Sequence, residues 1–157
     1  MSYSAYAVAN AFVQRALEGK ISNLSPMKLQ KLMFFAQAWH LKLKDEPFLD
    51  DNFARWSYGP VIPSIYHEFK AYGSNPIQRM ATTLSMDNFK MSMHEPIIPA
   101  HDANSWALVD AIITKYGAIN ANQLSLMTHQ AGSAWAIGGS GDGSVITAEQ
   151  IKLDPTI

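Results

Sequence analysis

Between Ser25 and Asp45 the chain sets apolar residues so densely that one element has to lie inside the fold. Leu29, Leu32, Met33, Ala36, Trp39, His40 and Leu43 recur at the three- and four-residue spacing of one helix face. Phe34, Phe35 and Leu41 broaden that face far beyond the stripe of a surface helix. Ser25 suits the N-cap, and Pro26 suits the first turn because its φ is fixed and its missing N–H would have no partner there. Asp45-Glu46-Pro47 stops the helix. Lys28, Lys31, Lys42 and Lys44 are expected at its wetter edges, stems on apolar surface and ammonium groups in water. The rest of the chain must pack around this segment, which sets the expected class: mainly α, a compact multi-helix single domain over residues 1–157 around a buried central helix, with a minor two-stranded β element.

Flanking patterns fill in that outline. Ala5, Val8, Ala9, Phe12 and Ala16 mark a helix over Tyr3 to Leu17, with Gly19 placed for a left-handed cap. Ala54, Trp56 and Tyr58 alternate along a short strand from residue 53 to 58, and Gly59-Pro60 turns the chain. Pro63 opens a helix with Ile65, Tyr66, Phe69 and Tyr72 inward, ending at Gly73. Phe89, Met91 and Met93 alternate with Lys90, Ser92 and His94, which predicts a second strand paired with the first and held at an edge by Pro96 and Pro99. A helix capped by Asp102 or Asn104 carries Trp106, Val109, Ile113 and Tyr116 and ends at Gly117. Asn120 caps another, a turn follows at Ala134-Trp135, and Thr147 with Gln150 forms a capping box for a last short helix.

The size and composition exclude several classes. A chain of 157 residues and 17.4 kDa buries about 70% of its extended surface on folding, enough for one self-sufficient core. With 48% hydrophobic and 16% charged residues it is not a disordered polymer, and the low charge leaves room for an apolar partner surface. Twelve basic against thirteen acidic residues demand no polyanion, and no helix carries a basic stripe, so nucleic acid is not expected as partner. The charges are uneven: residues 1–79 hold nine basic and six acidic side chains, the remainder three and seven. Two faces of opposite sign are expected, and charge reversal on one should weaken capture of a charged partner. The absence of cysteine fits a reducing compartment. No basic region precedes an apolar run and no stretch is long enough to span a bilayer, so neither secretion nor a membrane is expected.

Catalytic patterns are equally scarce. His40, His67, His94, His101 and His129 never form the two-turn pair with glutamate that helical zinc hydrolases need, and His94 and His101 straddle two prolines. Ser140 and Ser144 lack the spacing of a nucleophile elbow. The run from Gly138 to Ser144 has no Lys-Ser/Thr ending to hold phosphate and only Asp142 as carboxylate, so it reads as a surface connection. Asp50-Asp51 reads as a solvated pair. No catalytic residue, metal or cofactor is expected.

Several segments together resemble one family. Leu29-Gln30-Lys31-Leu32-Met33-Phe34-Phe35-Ala36-Gln37-Ala38-Trp39-His40 is similar to a helix of the SocA-like, Panacea-domain proteins. Trp56-Ser57-Tyr58-Gly59-Pro60-Val61-Ile62-Pro63-Ser64-Ile65-Tyr66 is similar to their central turn. Tyr116-Gly117, Leu124-Ser125, Thr128-His129 and Trp135 then follow in the family's order, so the resemblance covers residues 4 to 151. It implies a compact, mainly helical, cytoplasmic, bacterial or prophage-encoded antitoxin whose partner is a cognate protein toxin.

Within those motifs Trp39, Trp56, Gly59, Pro60 and Trp135 read as architecture, three large core side chains and a turn that few other pairs fit. Gln30, Lys31, Tyr58, Thr128 and His129 are explained less well by core packing and are the expected polar cluster beside the partner surface, with Gln30 and His129 setting its geometry. Neutralisation by occlusion is the leading reading. An adaptor delivering the toxin to a cytoplasmic protease and a DNA-binding regulator are the alternatives. An enzyme acting through His129 with Thr128 or Tyr58 would need a concave site joining them, and His129 packed under Trp135 would argue against it.

Overall fold

The computed structural model describes residues 2–139 and 141–157. The central segment is helix α2, Pro26–Lys44, capped by the Ser25 hydroxyl on Lys28 N–H and ended by Asp45 in the left-handed region. It is buried along nearly its whole length from Pro26 to Ala38. Helix α1, Ala5–Leu17, packs its Val8 and Phe12 side against α2, and its cap is Ser4, so it begins two residues later than the apolar pattern suggests. Next come strands β1, Phe53–Trp56, and β2, Gly59–Val61, and helix α3, Pro63–Phe69, which continues into a single 3₁₀ turn, Lys70–Tyr72. Strands β3, Thr83–Asp87, and β4, Lys90–His94, precede α4, Ala103–Tyr116, and α5, Ala121–Thr128. A 3₁₀ turn at Ala136–Gly138, strand β5, Val145–Ile146, and α6, Ala148–Lys152, complete the order. Asp102, Asn120 and the Thr147–Gln150 capping box start their helices as the sequence indicates.

The β structure departs from expectation in register and partner. Trp56 pairs with Gly59, so the turn is Ser57-Tyr58, and Gly59-Pro60 opens the returning strand. β1 is the middle strand of a three-stranded antiparallel sheet ordered β2-β1-β5, and the Met-rich strand β4 pairs with β3 in a separate hairpin. A segment of low apolar content, Thr83 to Asp87, thus becomes a strand because its neighbour across a two-residue turn is one. Tyr66, expected inward, is 40% exposed, and Ile65 and Phe69 alone fill the buried side of α3. Ser140 of the glycine-rich loop lies outside the described residues.

Polar side chains in the core are spent on backbone. Asn10 receives Ala81 N–H at 2.7 Å and donates to the carbonyls of Ala81 and Pro96, pinning both ends of the region that carries the β3–β4 hairpin. Gln37 accepts from Phe48 and Leu49 N–H at 2.7 and 3.1 Å, fixing the loop that leaves α2. Two of the α2 lysines are not at a wet edge: Lys28 and Lys31 are buried. Lys28 donates to Ser22 O at 2.9 Å, and half-buried Lys42 holds the carbonyls of Lys152 and Asp154 at the end of α6. The broad apolar face of α2 leaves too little solvent-facing arc for all four ammonium groups.

The largest fully buried side chain is Arg55, at the centre of the three-stranded sheet. Its five N–H groups meet five acceptors: Nε donates to Trp135 O at 3.0 Å, Nη1 to Ser144 Oγ and Val145 O at 3.0 and 2.8 Å, and Nη2 to Ala134 O and Gln150 Oε1, both at 2.9 Å. No carboxylate is among them. Gly138 is needed beside it, since a Cβ there would stand 2.1 Å from the Arg55 Cζ. Arg55→Met removes every one of those donors and strands three backbone carbonyls. We expect a loss of about 3 kcal/mol and a fall of roughly 6–12 °C in the unfolding midpoint by scanning calorimetry.

Candidate functional site

The β1–β2 turn is held from beneath by side chains reaching from three elements. Four alternate carbonyls along it each accept one side-chain donor. Trp56 O takes Trp135 Nε1 at 2.9 Å, Tyr58 O takes Ser125 Oγ at 2.6 Å, Pro60 O takes Lys31 Nζ at 3.2 Å, and Ile62 O takes Gln30 Nε2 at 3.1 Å. The amide of Gln30 also accepts Ile62 N–H at 2.9 Å. Gly59 is required at the centre: its φ is +115°, and a Cβ would lie 2.7 Å from Thr128 Oγ1 and 2.8 Å from Lys31 Cε.

Under this turn sit two titratable groups in apolar surroundings. Burial pushes the Lys31 ammonium down to about 7, with Pro60 O as its hydrogen-bond partner among the described residues. The His129 ring packs on Trp135 with centroids 4.0 Å apart, and its buried Nε2 has no hydrogen-bond partner among the described residues. Burial first and then the charge of Lys31 hold its pKa below the usual histidine range, against the opposing Ser57 backbone. Thr128 is buried, donating to Ser125 O at 2.7 Å, while its own carbonyl accepts from Ser133 Oγ.

Above the turn the picture reverses. Tyr58 is 69% exposed, and half-buried Trp56 meets exposed Tyr66 edge to face at 5.0 Å. These three rings form a ridge between a cleft of about 180 Å³, floored by Gln30 and Lys31, and a shallower depression of about 460 Å³ bordered by Gly141 and Asp142. Bonds from the Ser144 hydroxyl and amide hold the Asp142 carboxyl below the usual carboxylate range.

The structure therefore brings together Gln30, Lys31, Tyr58, Thr128 and His129, together with Trp56, Gly59, Pro60 and Trp135. Their tasks differ from those the residue types suggest. Gln30, Lys31 and Thr128 are buried supports, and of the five only Tyr58 is largely exposed. Gln30 holds both the N–H and the carbonyl of Ile62, and His129 faces the backbone of Ser57 in the turn. Trp39 lies elsewhere, donating from Nε1 to Tyr116 OH at 3.3 Å. Sequence reasoning passes over Arg55, Ser125 and Tyr66. A lone cation between apolar neighbours at Phe53-Ala54-Arg55-Trp56, on the strand face opposite Ala54 and Trp56, was the available signal for the first.

Residues 29–136 match the family model described as antitoxin SocA-like, Panacea domain. The chain belongs to that family. It is also 31% identical over 145 residues to Antitoxin SocA of Caulobacter vibrioides (strain NA1000 / CB15N), covering 91% of this chain and 74% of the relative. No solved structure gives a significant match. In this Panacea domain the matched segment starts one residue before Gln30 and ends one after Trp135, so it contains all four donors that hold the turn.

Two results follow for the Panacea domain described here. Gly59→Ala should cost about 2–4 kcal/mol in chemical denaturation, since the new methyl meets Lys31 and Thr128 at a φ that L-residues avoid. The lysine sets a pH dependence. Below pH 7 the amine is charged folded and unfolded, so the burial penalty is fully present; between about 7 and the unfolded value of 10.5 only the unfolded chain holds the proton, so stability rises with pH. Lys31→Met should raise stability at pH 6 and flatten that rise, measured as unfolding free energy across pH 6 to about 10. A slope identical to that of the parent protein would contradict the assignment.

Proposed function

We propose that this chain is the antitoxin of a toxin–antitoxin pair and neutralises a cognate protein toxin by direct contact, with no catalytic step of its own. The relative that carries the name Antitoxin SocA supports the class. The observation that carries the mechanism is the aromatic ridge: Tyr58 and Trp56 project from a turn whose alternate carbonyls are all tied down, and Tyr66 of α3 packs beside them. Exposed aromatics on a rigid backbone contribute most to interfaces, because little conformational freedom is left to lose on binding. An interface of about 1,600 Å² centred on the ridge would suffice to occlude a toxin surface. His129 lies against Trp135 and is partly buried beneath the turn, which supports a structural task over acid–base chemistry. The proposed site of action is the cytoplasm. Among the described residues no helix is long and apolar enough to cross a membrane.

Co-expression with the protein encoded beside it tests the reading. That neighbour should arrest growth alone and be silenced by this chain, with its half-life unchanged in a pulse-chase. A harmless neighbour, or one still toxic in the presence of this protein, overturns the antitoxin role, and a shortened half-life replaces occlusion with delivery to a protease. Tyr58→Ala should weaken capture roughly 10- to 30-fold by calorimetric titration, with the melting temperature unchanged.

A further inference from the structure

The β3–β4 hairpin presents a face that its own chain does not cover. Its register sets Leu84 opposite Met93 and Met86 opposite Met91, which places all four on one face, each between 62% and 66% exposed. The other face is polar, with Ser85 bonded to Ser92 and His94. At the tip Phe89 is 98% exposed and adopts φ +64°, beside Asn88 at +49°. A bulky residue in the left-handed region at a position where it touches nothing is a conformational cost with no return in the folded monomer.

We propose that this face is covered by a second copy of the same chain, in a twofold dimer built by antiparallel stacking of two hairpins. A knob and a recess lie on one continuous surface. Phe89 is the knob. The recess is a groove of about 610 Å³ at the base of the hairpin, with Met93 of the same apolar face, Phe69, Tyr72 and Met80 on its apolar side and Glu68, Arg79 and Glu95 at its charged edge. The five-residue strands are roughly 17 Å long, so when two hairpins stack face to face and antiparallel, the tip of each arrives over the base of the other. Phe89 of each copy is then carried to the groove of its mate, which is the self-complementary arrangement that a twofold contact requires.

Area and charge agree with that occupant. The five side chains expose on the order of 600 Å² of apolar surface, at the upper limit of the patches that monomers tolerate. Two copies would bury about 1,200 Å², the lower bound of a stable specific interface. From Glu68 to Glu95 the charges balance, Glu68, Asp87 and Glu95 against Lys70, Arg79 and Lys90, so identical faces meet without net repulsion. Methionine side chains adapt to one another at such a contact.

Sedimentation equilibrium of the full chain, from low micromolar to about 200 µM, decides the point. The expected mass is twice 17.4 kDa at the upper end, falling to 17.4 kDa on dilution. Phe89→Gly removes the knob while giving the left-handed turn the residue it prefers, so it should keep or raise the melting temperature and weaken dimerisation at least tenfold. Met91→Thr should weaken it too without unfolding the chain. A wild-type chain that stays monomeric throughout, or a Phe89→Gly dimer as tight as the parent, overturns the proposal. A monomer whose hairpin is protected only when toxin is added also overturns it and assigns the face to the toxin. The antitoxin role does not depend on any of these outcomes.

Discussion

The guanidinium of Arg55 is the interaction on which the arrangement of the C-terminal third depends. Among the described residues from 134 to 147 there are one 3₁₀ turn, a two-residue strand and several glycines, too little regular structure to hold themselves together. A buried cation with five donors supplies the missing order, because each stranded carbonyl would otherwise go unpaired away from water. Its charge is spread over carbonyl, amide and hydroxyl oxygens, and the Asp142 carboxylate faces it one hydrogen bond further out through Ser144. The Ala134 peptide links it onward, since its N–H goes to buried Asp154, whose own carbonyl is held by Lys42 of α2. The sheet, the glycine loop and the chain end are thereby tied to the central helix.

That tie also positions the turn above it. Trp135, whose carbonyl accepts from Arg55 Nε, donates its indole N–H to Trp56 O, so the same residue serves both the buried cation and the aromatic ridge. Lys31, Gln30 and Ser125 finish the hold on the turn from α2 and α5. The cost is a buried amine whose charge is opposed by its surroundings and a histidine nitrogen without a partner. The benefit is an exposed tyrosine on backbone that has almost no freedom left. Burial thus turns polar residues that resemble binding groups into the scaffold for the exposed tyrosine that we propose as the binding group.

Much of the fold is readable in the residues because it rests on local signals. The width of the apolar face of α2, the caps at Ser25, Asp102, Asn120 and Thr147, and the stop at Asp45-Glu46-Pro47 each act within a few residues of where they appear. The pairing of strands is set by distant partners, which explains why β1 joins β5 across ninety residues while the Met-rich strand closes on Thr83 to Asp87. The candidate site was legible as a set of residues and not as a division of labour. Lys31 looks like an edge lysine by type, and only the tertiary approach of Gly59 encloses it. Arg55 stands out in the sequence only as a lone cation between apolar neighbours, and its task is hidden because its acceptors lie some eighty to ninety-five positions away.

Backbone hydrogen exchange of the chain bound to the proposed toxin reads the docking surface most directly. Protection should rise over residues 55–61, around the Tyr58 ridge, and across the neighbouring Gly141–Ser144 rim. Protection gained elsewhere, with residues 55–61 exchanging as they do in the free protein, would contradict that assignment.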